Sequence, residues 1–368
     1  MSNPVELLKA LVPMRTDLAG GGECDMAAHL GRELAARGAD EVWVETVTRL
    51  DGPPAAFVVG RFGTPRLLVN AHIDTVPANS GWSGDPWTPR IEGERLIGLG
   101  ACDTKGAIAA ILSALDEVRP RDTMVLFSGD EEHGNVVMRA FLARGLAQGI
   151  ERSIVCEPTG MRLGTRHRGI FSFEATVTSE GGHSSRADNT RSPIARLSRL
   201  AVALDDFAAK RRHEGPPGFP GLCLNLAKMD GGIAFNVIPA KVSLGVSLRP
   251  PPGADVEALK AEIEALVRET APEATLRFGL ENRPFGTRDL EAFRPLLGER
   301  VDAPIDLAFW TEAAMLSGAG IDAVVFGPGD IAQAHAPDEW VSLGELEETK
   351  EAFVKAFSVT VGEQHGAG

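Results

Sequence analysis

Cysteines and long apolar runs are both scarce in this sequence of 368 residues. The four cysteines show no paired or Cys-x-x-Cys spacing, which predicts a chain without disulfide bonds in a reducing compartment. They are Cys24, Cys102, Cys156 and Cys223. No apolar run approaches the roughly 20 residues that a membrane-spanning helix requires. The short apolar run at the N-terminus includes Glu6 and Lys9, so we expect no signal peptide and a cytoplasmic protein.

Positive charge is also in short supply. The chain has 37 Lys and Arg against 51 Asp and Glu, a net charge of -14. This acidic balance argues against nucleic acid and against an anionic membrane as partners. The one tight basic run, Lys210-Arg211-Arg212, lies at the end of a predicted helix, where cations interact favourably with the helix dipole.

Three common catalytic motifs are missing or incomplete. The sequence has neither a GxSxG nucleophile elbow nor a GxxxxGK[ST] phosphate loop. Gly98-Leu99-Gly100 begins like a dinucleotide fingerprint, but Asp103 stands where the third glycine belongs and would direct a carboxylate at the pyrophosphate. Cys102 is adjacent to that carboxylate, which disfavours its thiolate, so we do not expect a thiol nucleophile.

The length of the chain predicts two domains. In the first 165 residues, predicted strands alternate with predicted helices, a pattern typical of a mostly parallel, doubly wound α/β sheet. The short, wholly apolar run Leu67-Leu68-Val69 indicates a strand buried on both faces. The predicted strands are Val42–Val47, Ala56–Val59, Arg66–Asn70, Thr123–Phe127 and Ser153–Val155. The predicted helices are Val5–Leu11, Asp25–Ala36, Lys105–Val118 and Val136–Arg144.

A different pattern begins at about Arg166. Ile170–Thr178 alternates with period two, as a half-exposed antiparallel strand does. The elements that follow have the order β-α-β-β-α-β of a ferredoxin-like α+β unit. The predicted division is a catalytic domain in two parts, 1–165 and 280–368, with an inserted domain at 166–279. In the last part we expect helices near Leu290–Leu297 and Thr311–Ser317, strands at Asp306–Ala308 and Ala323–Phe326, and a final helix from Leu343.

Side chains of the types that bind metals follow several of the predicted strands. In open parallel sheets, ligands bind beyond the carboxyl ends of the strands. Asp74 lies two residues after a candidate histidine, on the same side of an extended chain, so it can fix the tautomer of that histidine. The candidate ligands are His72, Asp103, Glu132, Glu157 and His335, and Glu131 is adjacent to one of them.

Each candidate has an ordinary structural explanation when taken alone. Asp103 could cap the helix that begins at Lys105, and Glu131-Glu132 could be a solvated turn. Glu157 could be a charge at a strand end, and His335 a loop histidine. Their joint occurrence at strand ends instead predicts a site for two divalent cations bridged by Asp103.

Five motifs resemble the M20 metallopeptidase family. They are His72-Ile-Asp74-Thr-Val-Pro77, Gly100-Ala-Cys-Asp103-Thr-Lys105-Gly106, Asp130-Glu131-Glu132, Glu157-Pro158-Thr159 and Gly181-Gly-His183-Ser-Ser185. Within that family, Trp310-Thr-Glu-Ala313 and the stretch from Gly327 to Asp338 resemble the acetylornithine deacetylase branch. They resemble its N-acetyl-L-citrulline deacetylase relatives still more closely. The likeness covers nearly the whole chain.

The resemblance implies a zinc-exopeptidase-like catalytic domain and a role for each candidate ligand. It implies one zinc ion on His72 and Glu157, a second on Glu132 and His335, and Asp103 as the bridge between them. Glu131 would be the general base. The same ligands would also accept cobalt or manganese.

The resemblance further implies a homodimer built through the inserted domain. His183, and with it Asn236, would then reach the active site of the partner subunit. Arg249 matches the position that binds the substrate carboxylate. Glu312 and Gly327 complete the expected substrate-binding residues.

The implied activity is removal of the acetyl group from N-acetylornithine or N-acetylcitrulline, small N-acyl amino acids of arginine biosynthesis. The acetylornithine enzymes usually have an acid two residues before the arginine that corresponds to Arg249, whereas this chain has Ser247. The identity of the preferred substrate side chain is therefore left open. A succinyl-diaminopimelate desuccinylase and a dipeptidase or carboxypeptidase are alternatives on the same scaffold. Trp310–Ala313 and Gly327–His335 argue against the peptidases. A metal-binding protein without catalysis would be expected to lack Glu131.

Overall fold

The computed structural model describes residues 3–188 and 192–361. The chain forms two compact units. The first comprises the residues up to Thr165, Thr287–Ile305 and the residues from Thr311 onward, and the second comprises Arg166–Gly286 and Asp306–Trp310. The second unit continues past residue 279 because its last long strand extends to Asn282.

The first part of the chain alternates strands and helices. Its helices are α1 (Pro4–Leu11), α2 (Glu23–Ala36), α3 (Lys105–Glu117) and α4 (Val136–Ala143). Its strands are β1 (Glu41–Val47), β2 (Ala55–Gly63), β3 (Leu67–His72), β4 (Arg90–Glu92), β5 (Arg95–Ile97), β6 (Asp122–Ser128) and β7 (Arg152–Cys156).

The remaining elements follow in chain order. The next group is β8 (Gly164–His167), β9 (Ile170–Thr178), β10 (Gly182–His183), α5 (Pro193–Lys210), β11 (Cys223–Gly231), β12 (Val237–Ile238), β13 (Lys241–Arg249), α6 (Val256–Thr270), β14 (Thr275–Asn282) and β15 (Phe285–Gly286). The last group is α7 (Arg294–Leu297), β16 (Ile305–Leu307), α8 (Ala313–Gly318), β17 (Asp322–Val325), β18 (Trp340–Ser342) and α9 (Leu343–Ser358).

The main sheet of the first unit has a parallel centre. Its strands follow the order β1-β2-β6-β3-β7-β17-β8. The central strands β6, β3, β7 and β17 are parallel to one another, whereas β1, β2 and β8 pair antiparallel with their neighbours. Every residue of β3 and β6 is buried, as expected of strands covered on both faces. The predicted mostly parallel α/β fold is confirmed.

Helix α3 directly follows the loop that contains Asp103. All its residues from Lys105 to Leu115 are buried, and it packs against α1 and α9. Its many alanines allow this close packing, since each presents a single methyl group to its neighbours. The loop before α3 is therefore attached to a rigid, central helix.

The second unit contains a four-stranded antiparallel sheet in the order β11-β13-β9-β14. Alternate residues of β9 are buried, beginning with Phe171 and Phe173, and they form one core with residues of α5 and α6. This arrangement confirms the predicted ferredoxin-like unit. The alternation of apolar and polar residues with period two in β9 predicted this strand, because one face of the strand is covered by helices and the other is not.

Some short elements differ from the prediction. The helix expected near Leu290–Leu297 is a 3₁₀ turn at Glu291–Phe293 followed by the short α7. Pro295 lies in the first turn of α7, where its missing N–H is tolerated. Strands β8, β15 and β18 were not predicted, because runs of two to four residues show no clear periodicity. Among the described residues, no helix is both long enough and apolar enough to span a membrane.

Candidate metal centre

Four of the predicted site residues lie at or after the ends of parallel strands: His72, Glu131, Glu132 and Glu157. Strand β3 ends at His72, and β7 ends directly before Glu157. Strand β6 ends at Ser128, shortly before the loop with Glu131 and Glu132. Because the carboxyl ends of parallel strands share one edge of the sheet, residues distant in sequence meet there.

Asp103 lies between two imidazole rings. Its Oδ1 is 2.8 Å from His72 Nε2, and its Oδ2 is 3.4 Å from His335 Nε2. His335 Nε2 also contacts Glu132 Oε1 at 2.7 Å. The ligand atoms of His72, Asp103 and Glu132 all lie within 4.8 Å of one another. Imidazole nitrogen and carboxylate oxygen at this spacing form a suitable donor set for a divalent cation.

The tautomer of His72 suits metal binding. Its Nδ1 donates to the backbone oxygen of Asp74 at 3.0 Å and lies 3.5 Å from the Asp74 carboxylate. In the neutral ring this leaves Nε2, the atom that faces Asp103, free to act as a ligand. Thr104 Oγ1 donates to the backbone oxygen of His72 at 2.8 Å and fixes the Asp103 loop to the end of β3.

The loop before Asp103 requires glycine at position 100. Gly100 has φ of 79°, and a Cβ atom there would lie 2.8 Å from Thr75 Cγ2. A larger residue would therefore be both strained and crowded. The Asp103–Thr104 peptide bond is cis.

Asp74 also organises the loop with the paired glutamates. Its Oδ1 accepts the backbone N–H of Glu131 at 3.2 Å, and its Oδ2 accepts that of Glu132 at 3.0 Å. One carboxylate thus binds two consecutive amides and lies near His72. The sequence predicted the contact with His72, whereas the two amide contacts depend on the approach of separate loops.

A buried arginine supports the same loop from behind. Arg49 donates to the carboxylates of Asp130 and Glu23 and, at 2.9 Å, to the backbone oxygen of Pro53. The Asp130 carboxylate also accepts the backbone N–H of Val136 at 2.8 Å. Asp130 has φ of 62°, an uncommon conformation for a residue with a side chain, which these contacts stabilise. Nothing in the sequence pattern around Arg49 indicated this role.

Arg49→Met is expected to lower the free energy of unfolding by about 3–5 kcal/mol, because it leaves two buried carboxylates without their counter-charge. The side chains of Arg49, Glu23 and Asp130 are at most 3% exposed. Urea unfolding at neutral pH measures the loss. Arg66→Met is the matched control, since Arg66 and its partner Glu151 are 41% and 43% exposed. That pair should contribute about 0–1 kcal/mol, and equal losses in the two variants would contradict the prediction.

Burial and crowding determine the electrostatics of the cluster. Against the effect of burial, hydrogen bonds from His335 and His72 hold the pKa of Asp103 below its ordinary value. Hydrogen bonds to Asp103 and Glu132 raise the pKa of His335 to about 10. Burial raises the pKa of three neighbouring carboxyl groups, those of Glu131, Glu132 and Glu157. The cluster is therefore rich in acidic groups that lie close together.

Two predicted substrate-binding positions also lie in the first unit. Glu312 is 1% exposed and accepts a hydrogen bond from Ser128 Oγ at 2.6 Å. Burial raises the pKa of Glu312 to about 7. Gly327 packs on the backbone of Glu157, where a Cβ atom would lie 2.7 Å from the carbonyl oxygen. Both residues contact chain segments beside the cluster.

The other three predicted residues lie in the second unit. His183 is exposed in β10, pairs with Val237 in β12, and contacts Ser185 Oγ through Nδ1 at 2.8 Å. Asn236 directly precedes β12, and its backbone oxygen accepts the N–H of Ser184 at 3.0 Å. His183 and Asn236 therefore belong to one small substructure. Arg249 ends β13 with an exposed side chain.

Glu339 was not predicted as a functional residue from the sequence. It lies four residues after His335, is 2% exposed, and contacts the loop of Asp103. Burial and the nearby Asp103 raise the pKa of Glu339 to about 8. The only local signal was a second acid in Asp338-Glu339, next to a stretch already identified as functional.

Comparisons with known proteins agree with this geometry. Residues 68–358 match the family described as peptidase family M20/M25/M40. An N-acetyl-L-citrulline deacetylase of Xanthomonas campestris pv. campestris is 37% identical over 312 residues, which cover 83% of this chain and 84% of that protein. An acetylornithine deacetylase of Myxococcus xanthus is 34% identical over 305 residues, or 80% of each chain.

Similarity to solved structures extends over nearly the whole chain. An M20 family metallo-carboxypeptidase, Sso-CP2 from Sulfolobus solfataricus, has a TM-score of 0.76 and 17% identity, covering 98% of this chain and 100% of that one. At this identity the likeness concerns the fold. The family predicted from the motifs is confirmed, and the chain belongs to peptidase family M20/M25/M40.

Proposed function

We propose that this protein is a metal-dependent hydrolase that removes the acetyl group from an N-acetyl amino acid, either N-acetylornithine or N-acetylcitrulline. The products are acetate and the free amino acid. The main structural support is Asp103, whose two oxygens face two different imidazoles. The similarity to an N-acetyl-L-citrulline deacetylase and to an acetylornithine deacetylase supports the choice of acyl group and substrate class.

The proposed cage would hold two divalent cations. His72 and Glu157 would hold one ion, Glu132 and His335 the other, and Asp103 both. Zinc fits imidazole and carboxylate donors, and cobalt or manganese fits the same set. When bound, two such ions activate a water molecule and polarise the acyl carbonyl.

Glu131 supplies the proton transfer. Its carboxylate accepts the proton of the attacking water and delivers it to the nitrogen of the leaving amine. The two hydrogen bonds from the Glu131-Glu132 backbone to Asp74 hold this loop in place during both transfers. His183 donates a hydrogen bond to the oxyanion of the tetrahedral intermediate. Arg249 binds the substrate carboxylate, and Asn236, Glu312 and Gly327 complete the substrate-binding set.

We further propose a homodimer formed through the second unit. Within the described residues, β11 pairs with β13 along one side and has no partner strand along the other. It is nine residues long, and Leu226 and Met229 on it are 39% and 42% exposed. A long, partly apolar edge strand of this kind is a template for another strand. A second copy of the chain provides an identical edge.

The chemistry of the chain is consistent with a cytoplasmic enzyme acting on a small molecule. All four cysteines are free, and two of them, Cys102 and Cys156, are buried. The net charge of -14 disfavours nucleic acid and anionic membranes as partners.

A substrate panel tests the proposed function. We expect N-acetylcitrulline or N-acetylornithine to have the highest kcat/KM in a panel that also contains N-acetylmethionine and N-succinyl-diaminopimelate. Released acetate or succinate is measured. Preference for the succinyl compound would contradict the assignment of the acyl group.

The same assay includes a demetallated sample as its control. A chelator should abolish activity, and added zinc or cobalt should restore it, because the proposed cage consists of two imidazoles and three carboxylates. Full activity after thorough demetallation would overturn the metal-dependent mechanism.

A further inference from the structure

We propose that Glu339 is a positioning residue that holds the Asp103 carboxylate in the orientation needed to bind two cations. This inference rests on the proposed metal centre. It adds a residue that does not touch the cations and whose side chain acts through the backbone of another loop.

The side chain of Glu339 binds three backbone amides of the Asp103 loop. Its Oε1 accepts the N–H groups of Cys102 at 2.8 Å and Asp103 at 3.0 Å. Its Oε2 accepts the N–H group of Gly100 at 3.0 Å. Buried backbone N–H groups need a partner, and the Glu339 side chain supplies one for each of these three amides. One buried side chain thus determines the path of the loop.

The backbone of Glu339 adds a fourth contact. Its oxygen accepts the N–H of Gly98 at 2.9 Å, next to the paired residues Ile97 and Trp340 of β5 and β18. The strand pair and the carboxylate therefore hold the same loop from two sides. The side chain of Lys105, the first residue of α3, donates to the backbone oxygen of Met14 at 2.8 Å rather than to this loop.

Glu339 also connects two groups of ligands. It lies four residues after His335, whose Nε2 is 3.4 Å from Asp103 Oδ2. The loop that contains His335 is thereby fixed to the loop that contains Asp103. A bridging carboxylate must face both cation positions at once, and a rotation of its backbone would break one of the two contacts.

Glu339→Gln tests this inference. The amide keeps the size of the side chain, but its NH₂ group must face at least one backbone N–H, so the loop should shift. We expect metal affinity, measured by competition with a chelator, to fall about 10–100-fold, the usual effect of removing a residue that orients a metal ligand. The measurement needs no substrate, so it is independent of whether the protein deacetylates amino acids.

Asp322→Asn is the matched control. The Asp322 carboxylate is also largely buried and accepts three backbone N–H groups, those of Arg288, Asp289 and Ala323. Asp322 is the first residue of β17 and so lies at the end of that strand away from the carboxyl end. We expect this variant to lose thermal stability as much as Glu339→Gln does, yet to bind metal as tightly as the wild type. Unchanged affinity in Glu339→Gln, or equal weakening in both variants, would overturn the proposal.

Hydrogen exchange of the unmodified, metal-free protein provides a second test that does not depend on a variant's folding. The amides of Gly100, Cys102 and Asp103 should exchange slowly, because each is bonded to a buried carboxylate. Fast exchange at these amides, with slow exchange in the neighbouring α3, would show that Glu339 does not hold the loop.

Discussion

Glu131→Gln is expected to lower kcat by about 10²–10⁴-fold while leaving the bound metal in place, because a general base contributes that much and is not itself a ligand. The glutamine keeps the size of the side chain and cannot accept the proton of water. The backbone contact of residue 131 with Asp74, at 3.2 Å, does not involve the changed atoms. Steady-state kinetics and metal analysis of the same preparation measure both quantities.

Glu132→Gln is the natural comparison, since it alters the adjacent carboxylate. Glu132 Oε1 is 2.7 Å from His335 Nε2, and its ligand atom belongs to the cluster with His72 and Asp103. We therefore expect this variant to lose affinity for one metal ion. If Glu131→Gln lost metal and Glu132→Gln retained it, the two roles would have to be exchanged.

The candidate ligands could be predicted from the sequence because each of them lies near a strand end or a glycine-rich loop that is recognisable locally. His72 is the last residue of one short, buried strand and Glu157 directly follows another, and a parallel sheet brings such strand ends together. Asp103 follows Gly100 by three residues and His335 follows Gly329 by six, and these glycines indicate loops. The residue types and the strand order were thus sufficient to place the ligands near one another.

The supporting contacts were not visible because they join distant parts of the chain. Glu339 lies 236 to 239 positions from the amides that it binds. Arg49 lies 81 positions from Asp130. A lone acid or arginine has no periodicity or spacing that indicates such a partner. Short strands such as β18 were missed for the same reason, since their partners alone define them.

His183→Ala is expected to fold and bind metal normally and to lose about 10²–10³-fold in kcat, the effect of removing one oxyanion donor. His183 is exposed in the second unit, whereas the candidate ligands belong to the first. Its removal should therefore leave the ligand cluster unchanged. Ser185→Ala is a control in the same turn. Ser185 Oγ contacts His183 Nδ1, so this substitution should affect only the orientation of the His183 imidazole ring.

Mixed dimers decide whether His183 acts on the partner subunit. A Glu131→Gln subunit still has its histidine, and a His183→Ala subunit still has its base. If the histidine acts across the dimer interface, a heterodimer of the two has one intact site and about half of the wild-type activity, so a fully exchanged equimolar mixture, in which about half of the dimers are heterodimers, should rise toward about a quarter of the wild-type value. If His183 serves its own subunit, every site in the heterodimer lacks one group, and mixing restores nothing. A mixture of Glu131→Gln with Glu131→Ala should stay inactive under either arrangement, because no subunit then supplies a base.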